Sequence, residues 1–328
     1  MDFQCIQCHV LGYTSDLLHV QTPLAELKIP LKLKWKKGKY MPFGMSSPTQ
    51  AVMIGGNIYV GGGGSFKNNQ TVIVYTFHTR SWRTLPPYDC EWFGMAAVNN
   101  QLVLVGGSHP PTYKKANVLR VWNETSQTWT HPFPVLPTPR SQASVISYHK
   151  WLIVAGGDGG GGLYTTRVEI LDTSSRQWYE AAPLPNACTG MSSAINGNMW
   201  YLSRGFSSPI KANKHVSSIC LDELISQAVS QSAVATSPST PSPWQTLPDT
   251  PLEHSTVLVL NRTLLAVGGL RSSAIHVYRP MNSSWVKVGD MPTKRLQCAC
   301  IVLPSGEIFV AGGYSGSDGD RVDIATIV

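Results

Sequence analysis

Charge is scarce in this 328-residue chain: Asp, Glu, Lys and Arg make up 14% of it, against roughly 25% in an ordinary globular domain. That shortage argues against a coiled coil or a helical bundle, whose exposed faces carry paired carboxylates and amines. No run of about 18 apolar residues occurs, so no transmembrane helix is predicted. Residues 1–18 lack a basic segment ahead of an apolar core, and Asp2, His9 and Asp16 interrupt any such core, so no export signal is expected. The seven cysteines, at 5, 8, 90, 188, 220, 298 and 300, form no evenly spaced disulfide framework. Sequons begin at Asn69, Asn123, Asn261 and Asn282. Without an export signal they are expected to go unused, in a reduced, cytoplasmic chain.

Catalytic constellations are equally scarce. Cys5-x-x-Cys8-His9 looks like half a zinc site, but no second Cys/His pair follows at finger spacing. Cys298 and Cys300 alternate along a strand and share a face, where small buried thiols explain them better than a metal. The glycines at 159–162 are not followed by the Lys-Ser/Thr of a phosphate loop. Gly316-Ser317-Asp318-Gly319-Asp320 lacks the later glutamate of a calcium loop and reads as a turn. No G-x-S-x-G elbow appears, and the nine histidines show no metal spacing. No catalytic residue, metal or cofactor is therefore expected.

Glycine and proline, 29 and 23 residues, are abundant and ordered. A short apolar run ending in glycines recurs six times: before Gly61 to Gly64, Gly106-Gly107, Gly156-Gly157, the degenerate Arg204-Gly205, Gly268-Gly269 and Gly312-Gly313. From Gly106 the intervals are 50, 48, 64 and 44 residues. After each of the first five sites come a second apolar run, a polar turn and a tryptophan: Trp82, Trp129, Trp178, Trp244 and Trp285. Proline loops such as Leu85-Pro86-Pro87 and Met291-Pro292 follow. Each period holds about four short strands. Adjacent glycines mark a close backbone approach, and each indole offers roughly 150–250 Å² to bury against a neighbouring unit. One such sheet cannot cover both of its faces, whereas six in a ring can.

These residues resemble the Kelch repeat, most closely from Pro139-Arg140-Ser141 through Gly156-Gly157-Asp158-Gly159 and Arg167-Val168-Glu169-Ile170-Leu171-Asp172 to Trp178. The resemblance covers roughly residues 35–328, although Arg204 replaces one glycine and the arginine after the proline loop occurs only as Arg140 and Arg295. It implies an all-β, six-bladed β-propeller of four-stranded antiparallel blades. The last blade lacks a fourth strand, and residues 31–37 around Trp35 are expected to supply it and close the ring. Two domains of organisation follow: residues 1–27 as a loosely packed tail or the end of an upstream region, and residues 28–328 as the propeller. The propeller carries a Ser/Thr/Pro-rich insertion at about 223–243. Residues 221–229 are expected to form a short helical turn, and Ser237-Pro238, Thr240-Pro241 and Ser242-Pro243 are candidates for proline-directed phosphorylation, though a tolerated surface insertion explains them as well.

Net charge is +7, and Lys28, Lys32, Lys34, Lys36, Lys37 and Lys39 crowd the N-terminal end. With no nucleic-acid module beside them, they read as a lysine-protected sheet edge in preference to a nucleic-acid or membrane surface. Function is expected at one rim, where two loop classes converge. The loops after the glycines contribute Phe66, His109, Tyr113, Asp158, Tyr164, Phe206, Arg271 and Tyr314; those after the prolines contribute Phe43, Trp92, Phe93, Arg140, His254, Lys294 and Arg295. Aromatic and cationic residues dominate binding hot spots, and Arg140, Arg271 and Arg295 would suit an acidic or phosphorylated peptide; the opposing expectation for each arginine is a structural hydrogen bond within the repeats. Kelch-like propellers often sit beside a BTB or F-box module and select substrates for ubiquitin ligases; no BTB domain fits before Trp35, so that role needs a partner or a longer parent protein. The resemblance therefore implies a non-catalytic protein-interaction module, either a ligase adaptor or a scaffold. The alternative it leaves open is a small-sugar mutarotase or oxidase using a polar central pocket.

Overall fold

Six four-stranded antiparallel sheets make up the computed structural model, which describes residues 22–26, 31–45, 49–63, 70–203, 205–208, 211–233, 242–313 and 319–328. They form a six-bladed β-propeller. The first strand of each blade lines a common axis: Gln50–Ile54, Gly94–Val98, Ser144–Tyr148, Ser192–Asn196, Thr256–Leu260 and Ala299–Val302. Blades 1 to 5 run outward in sequence order. Blade 6 takes its outermost strand, Leu33–Lys37, from the opposite end of the chain, paired with Val322–Ile327 in the register Leu33↔Ile327 to Lys37↔Asp323.

The second and third strands are apolar on both faces because each blade is sandwiched between two others. Trp151–Ala155 and Val168–Asp172, for example, are buried almost throughout. Two charged residues interrupt this pair of strands: Asp172, at the strand end, pairs with Lys150 at 2.8 Å, and Glu169 is taken up below.

The repeated glycines join blade to blade. The second glycine of a doublet donates its N–H to a carbonyl in the loop entering the next blade: Gly107 to Arg140 O at 2.9 Å, Gly157 to Cys188 O at 2.8 Å and Gly269 to Arg295 O at 2.8 Å. The first glycine lies against that same carbonyl. A β-carbon on Gly106 would stand 2.4 Å from Arg140 O, and one on Gly268 2.3 Å from Arg295 O. Both glycines of these three doublets have positive φ, which a side chain would also oppose.

The tryptophans join the blades at their outer edge. Trp82 Nε1 donates to Lys39 O, Trp129 Nε1 to Pro86 O and Trp285 Nε1 to Pro248 O, each at 3.0 Å, and Trp244 Nε1 donates to Ala182 O at 3.3 Å. Each acceptor belongs to the exit loop of the preceding blade. The indoles thus combine apolar burial with one fixed polar contact.

Two segments depart from the repeat. The insertion in blade 4 contains α1 (Leu221–Ala233), a full helix longer than the short turn read from sequence. Its Leu221, Leu224, Ile225 and Ala228 pack into the cluster that holds Trp200 and Trp244. Within the N-terminal stretch expected to pack loosely, residues 22–26 are held on the turns of blades 4 and 5. Thr22 N–H donates to Asn198 Oδ1 at 2.9 Å and Ala25 N–H to Arg262 O at 2.7 Å.

Substitution at a joining glycine should therefore cost more than at an equally left-handed but open one. Gly55 has φ +54°, and a β-carbon placed on it would meet nothing within 4 Å. Gly55→Ala is expected to cost about 1–2 kcal/mol, and Gly106→Ala about 3 kcal/mol or more because the loop of blade 3 must also shift. Urea unfolding of the two variants measures the difference, and equal costs would refute the assignment.

Candidate functional site

The two loop classes do meet at one end of the propeller, where they pair as short bridges. Glu91 and Ser108 exchange backbone hydrogen bonds, as do Ser141 with Asp158 and Thr189 with Phe206. Nearer the axis, backbone bonds pass from blade to blade: Gln142 N–H to Trp92 O (2.8 Å), Gly190 N–H to Gln142 O (3.1 Å), Gln297 N–H to His254 O (3.1 Å) and Thr49 N–H to Gln297 O (3.0 Å). Trp92, Gln142, Gly190, His254 and Gln297 all have φ between +47° and +61°. Four of the five are not glycine, and such conformations persist only where their surroundings enforce them. These residues form the mouth. Gln297 also reaches past blade 5, its Nε2 donating to Gly190 O at 2.7 Å.

Below the mouth lies an axial cavity of about 340 Å³. Its described lining is small, apolar or neutral and polar, including Gln50, Ser144, Ser193, Thr256 and Gln297, with Cys298 and Cys300 on one wall. No carboxylate, imidazole, amine or guanidinium is among those lining residues. Gln50 Oε1 accepts from Met95 N–H at 2.9 Å, and the hydroxyls of Ser144 and Ser193 hydrogen-bond each other, so the polar groups serve neighbouring blades. Among the described residues no three His, Cys, Asp or Glu side chains group as a metal site.

The richest part of the rim spans blades 2 and 3. Trp92 and Tyr113 stack with centroids 5.7 Å apart and planes at 30°. Tyr113 is 53% exposed. Beside them Lys115 pairs with Asp158 at 2.7 Å and donates to Ser108 Oγ and Ser141 Oγ. Tyr164 bridges to Asp158, and burial together with that carboxylate raises its phenol pKa. His109 is half-buried, with Nδ1 3.4 Å from Cys90 Sγ. Burial pushes the Cys90 thiol up to about 12, so it is no nucleophile near neutral pH.

The other candidates divide. Arg271 and Lys294 are exposed, and Phe206 is half-buried against His254 with ring centroids 4.3 Å apart. His254 is buried, and desolvation lowers its pKa and favours the neutral ring. Phe43 packs half-buried into the cluster of Met41 and Met45. Tyr314 and Phe66 lie outside the described residues, as do Cys5, Cys8, His9, Arg204, Asn69, Ser237, Thr240 and most of the glycine-aspartate turn at 316–320.

Three rim candidates are corrected. Phe93 is 1% exposed and meets Tyr88 edge-on at 5.0 Å in the core. The arginine side chains of Arg140 and Arg295 are wholly buried and point into their own blades. Arg140 Nη2 donates to Glu169 Oε2 at 2.6 Å and to Val154 O at 3.1 Å. Arg295 reaches Asp323 Oδ2 at 3.1 Å, Gly312 O and Arg321 O. Desolvation lowers the Arg140 pKa to about 10, opposed by the Glu169 charge. Neither guanidinium is available to a peptide. The residues missed from sequence are Gln142 and Gln297, each two residues after a blade-entry arginine, as Arg140-Ser141-Gln142 and Arg295-Leu296-Gln297, and two residues ahead of an axial strand.

Comparison with known proteins agrees with this architecture. Residues 48–247 and 95–313 match the family described as the KLHDC2/KLHL20/DRC7 Kelch-repeats domain. The chain belongs to the Kelch-repeat family. It is 23% identical over 276 residues to Kelch-like protein 23 of Homo sapiens, covering 80% of this chain and 44% of that protein. It is 27% identical over 296 residues to Kelch-like protein 35 of Mus musculus, covering 90% of this chain and 39% of that one. The chain thus spans less than half the length of these relatives. A solved structure titled "Structure of YjhT" superposes with a TM-score of 0.69 at 14% identity, covering 88% of this chain and 96% of the other, a likeness of fold.

The buried ion pairs make a stability prediction. Arg140→Leu, which strands the Glu169 carboxylate, should cost about 3–5 kcal/mol, while Arg140→Leu/Glu169→Leu should recover much of that loss. Chemical denaturation checks both, and a double variant no better than the single one would contradict the pairing.

Proposed function

We propose that this propeller is a non-catalytic interaction module that binds a partner protein or peptide through the rim loops of blades 2 and 3. The Trp92–Tyr113 stack, in which Tyr113 is exposed and Trp92 half-buried, carries the reading. It places two large aromatic side chains, of the kind that dominate interface energies, on loops tied to neighbouring blades by backbone hydrogen bonds. The adjacent Lys115–Asp158 pair gives the patch a polar border of both signs. Lys114, next to Tyr113, is exposed and could meet acidic or phosphorylated groups on a partner.

The axial cavity supports the non-catalytic side of the proposal. A mutarotase or oxidase would need proton-transfer groups or metal ligands converging on a bound sugar, and the described lining offers two thiols as its ionisable groups. A cytoplasmic adaptor that presents substrates to a ubiquitin ligase, or a scaffold, fits the Kelch-like relatives. The ligase role would need a partner or a longer parent protein.

Trp92 and Tyr113 both occupy left-handed backbone conformations, so asparagine, which tolerates them, is the suitable replacement. In affinity capture from native lysate, Trp92→Asn/Tyr113→Asn should retain at least roughly tenfold less of the wild type's specific partners, the scale of an interface hot spot, with an unchanged melting temperature. Full retention of the same partners would exclude this rim as the working face.

A further inference from the structure

On the wall of the axial cavity, Cys298 and Cys300 hold their sulfurs 3.5 Å apart. The two-residue period of an extended chain brings both to one face at the start of the blade 6 axial strand. Cys298 is 2% exposed and Cys300 is half-buried. Thr256 Oγ1 lies 3.7 Å from Cys298 Sγ. The other described thiols have different neighbours: Cys90 lies against His109, Cys188 against the Met191 sulfur and Cys220 against Asn198.

We propose that Cys298 and Cys300 form a bidentate dithiol site for a soft, trivalent arsenic centre. With bonds to sulfur of about 2.3 Å, the length zinc makes to cysteine sulfur, a single atom bridging sulfurs 3.5 Å apart closes an angle of roughly 100°. A pyramidal trivalent centre has that angle, and a linear two-coordinate ion does not. Zinc prefers four ligands, and no third His, Cys, Asp or Glu joins the pair among the described residues. The hydrogen bond between the two thiols, helped by the nearby Arg295 charge, holds Cys298 below its usual range, while the same bond and burial hold Cys300 above it. The cavity of about 340 Å³ leaves room for an organic substituent on the arsenic.

The reaction with an arsenoxide balances without an oxidant. Two As–S bonds replace the As–O double bond, the two thiol protons leave with that oxygen as one water, and arsenic stays trivalent.

Phenylarsine oxide is the probe, added to the full chain carrying Cys5→Ser/Cys8→Ser so that the N-terminal thiol pair cannot compete. Mass spectrometry should show one phenylarsenic adduct that survives excess 2-mercaptoethanol and is released by 2,3-dimercaptopropanol. Further substitution, Cys298→Ser or Cys300→Ser, should lower the monothiol-resistant adduct by roughly 10²-fold or more, the usual gain from linking two binding events. Cys90→Ser and Cys188→Ser should leave it unchanged. Because serine at the buried Cys298 can unsettle the strand, the adduct on the parent protein is also mapped by proteolysis to the peptide containing residues 298–300. Arsenic on a different peptide, no monothiol-resistant adduct, or an adduct that persists in both serine variants of the pair would overturn the proposal.

Discussion

The carbonyl that receives each glycine N–H is the contact on which the rest of this propeller depends. Arg140 O and Arg295 O each accept from the glycine doublet of the blade before, while the side chain of the same arginine turns inward to an acid of its own blade. One residue thus fixes both the step between blades and the direction from which the chain enters the next sheet. A larger residue at Gly106 or Gly268 would push that carbonyl away. In blades 1, 2, 4 and 5 the outer tryptophan repeats the tie at the opposite side of the sheet, so each of those blades is gripped at its axial and peripheral strands.

This construction separates two chemistries. Around the axis, side chains are short and neutral and spend their hydrogen-bonding groups on adjacent blades, leaving the cysteine pair as the reactive feature among the lining residues. At the rim, loops freed from packing duties carry rings and charges on a rigid base. Removing Arg140 and Arg295 from the accessible set shifts the expected recognition away from a ring of guanidinium groups. The proposed recognition rests instead on an aromatic patch over blades 2 and 3, bordered by Lys115 and Asp158.

The architecture was legible because its cause is periodic: glycines, tryptophans and prolines recur in fixed phase, each for a contact every blade must make. The buried role of the arginines was also written in the chain. Arg140 precedes Glu169 and Arg295 precedes Asp323 by nearly the same interval, whereas the other described third-strand positions in that register are Ile73, Arg120, Ser217 and His276. Cys90, Cys188 and Leu252 stand where those blades would carry the arginine. Where the entering arginine is missing, at Cys90, Cys188 and Leu252, the facing acid is missing too, as a shared burial demands. The mouth was illegible for the opposite reason. Trp, Gln, Gly and His share a left-handed backbone there and nothing in side-chain chemistry. Residues 22–26 dock through backbone groups that leave no pattern in composition.

Amide hydrogen exchange at Gly107, Gly157 and Gly269 tests this construction most directly, since their N–H groups are the ties between blades. If the ties hold the ring, these amides exchange as slowly as the strand interiors at Ile153 and Val310, opening only when the propeller itself unfolds. Exchange as fast as at the open turn glycines Gly55 and Gly161 would show that the blades are not held through these bonds, and that the rim rests on something else.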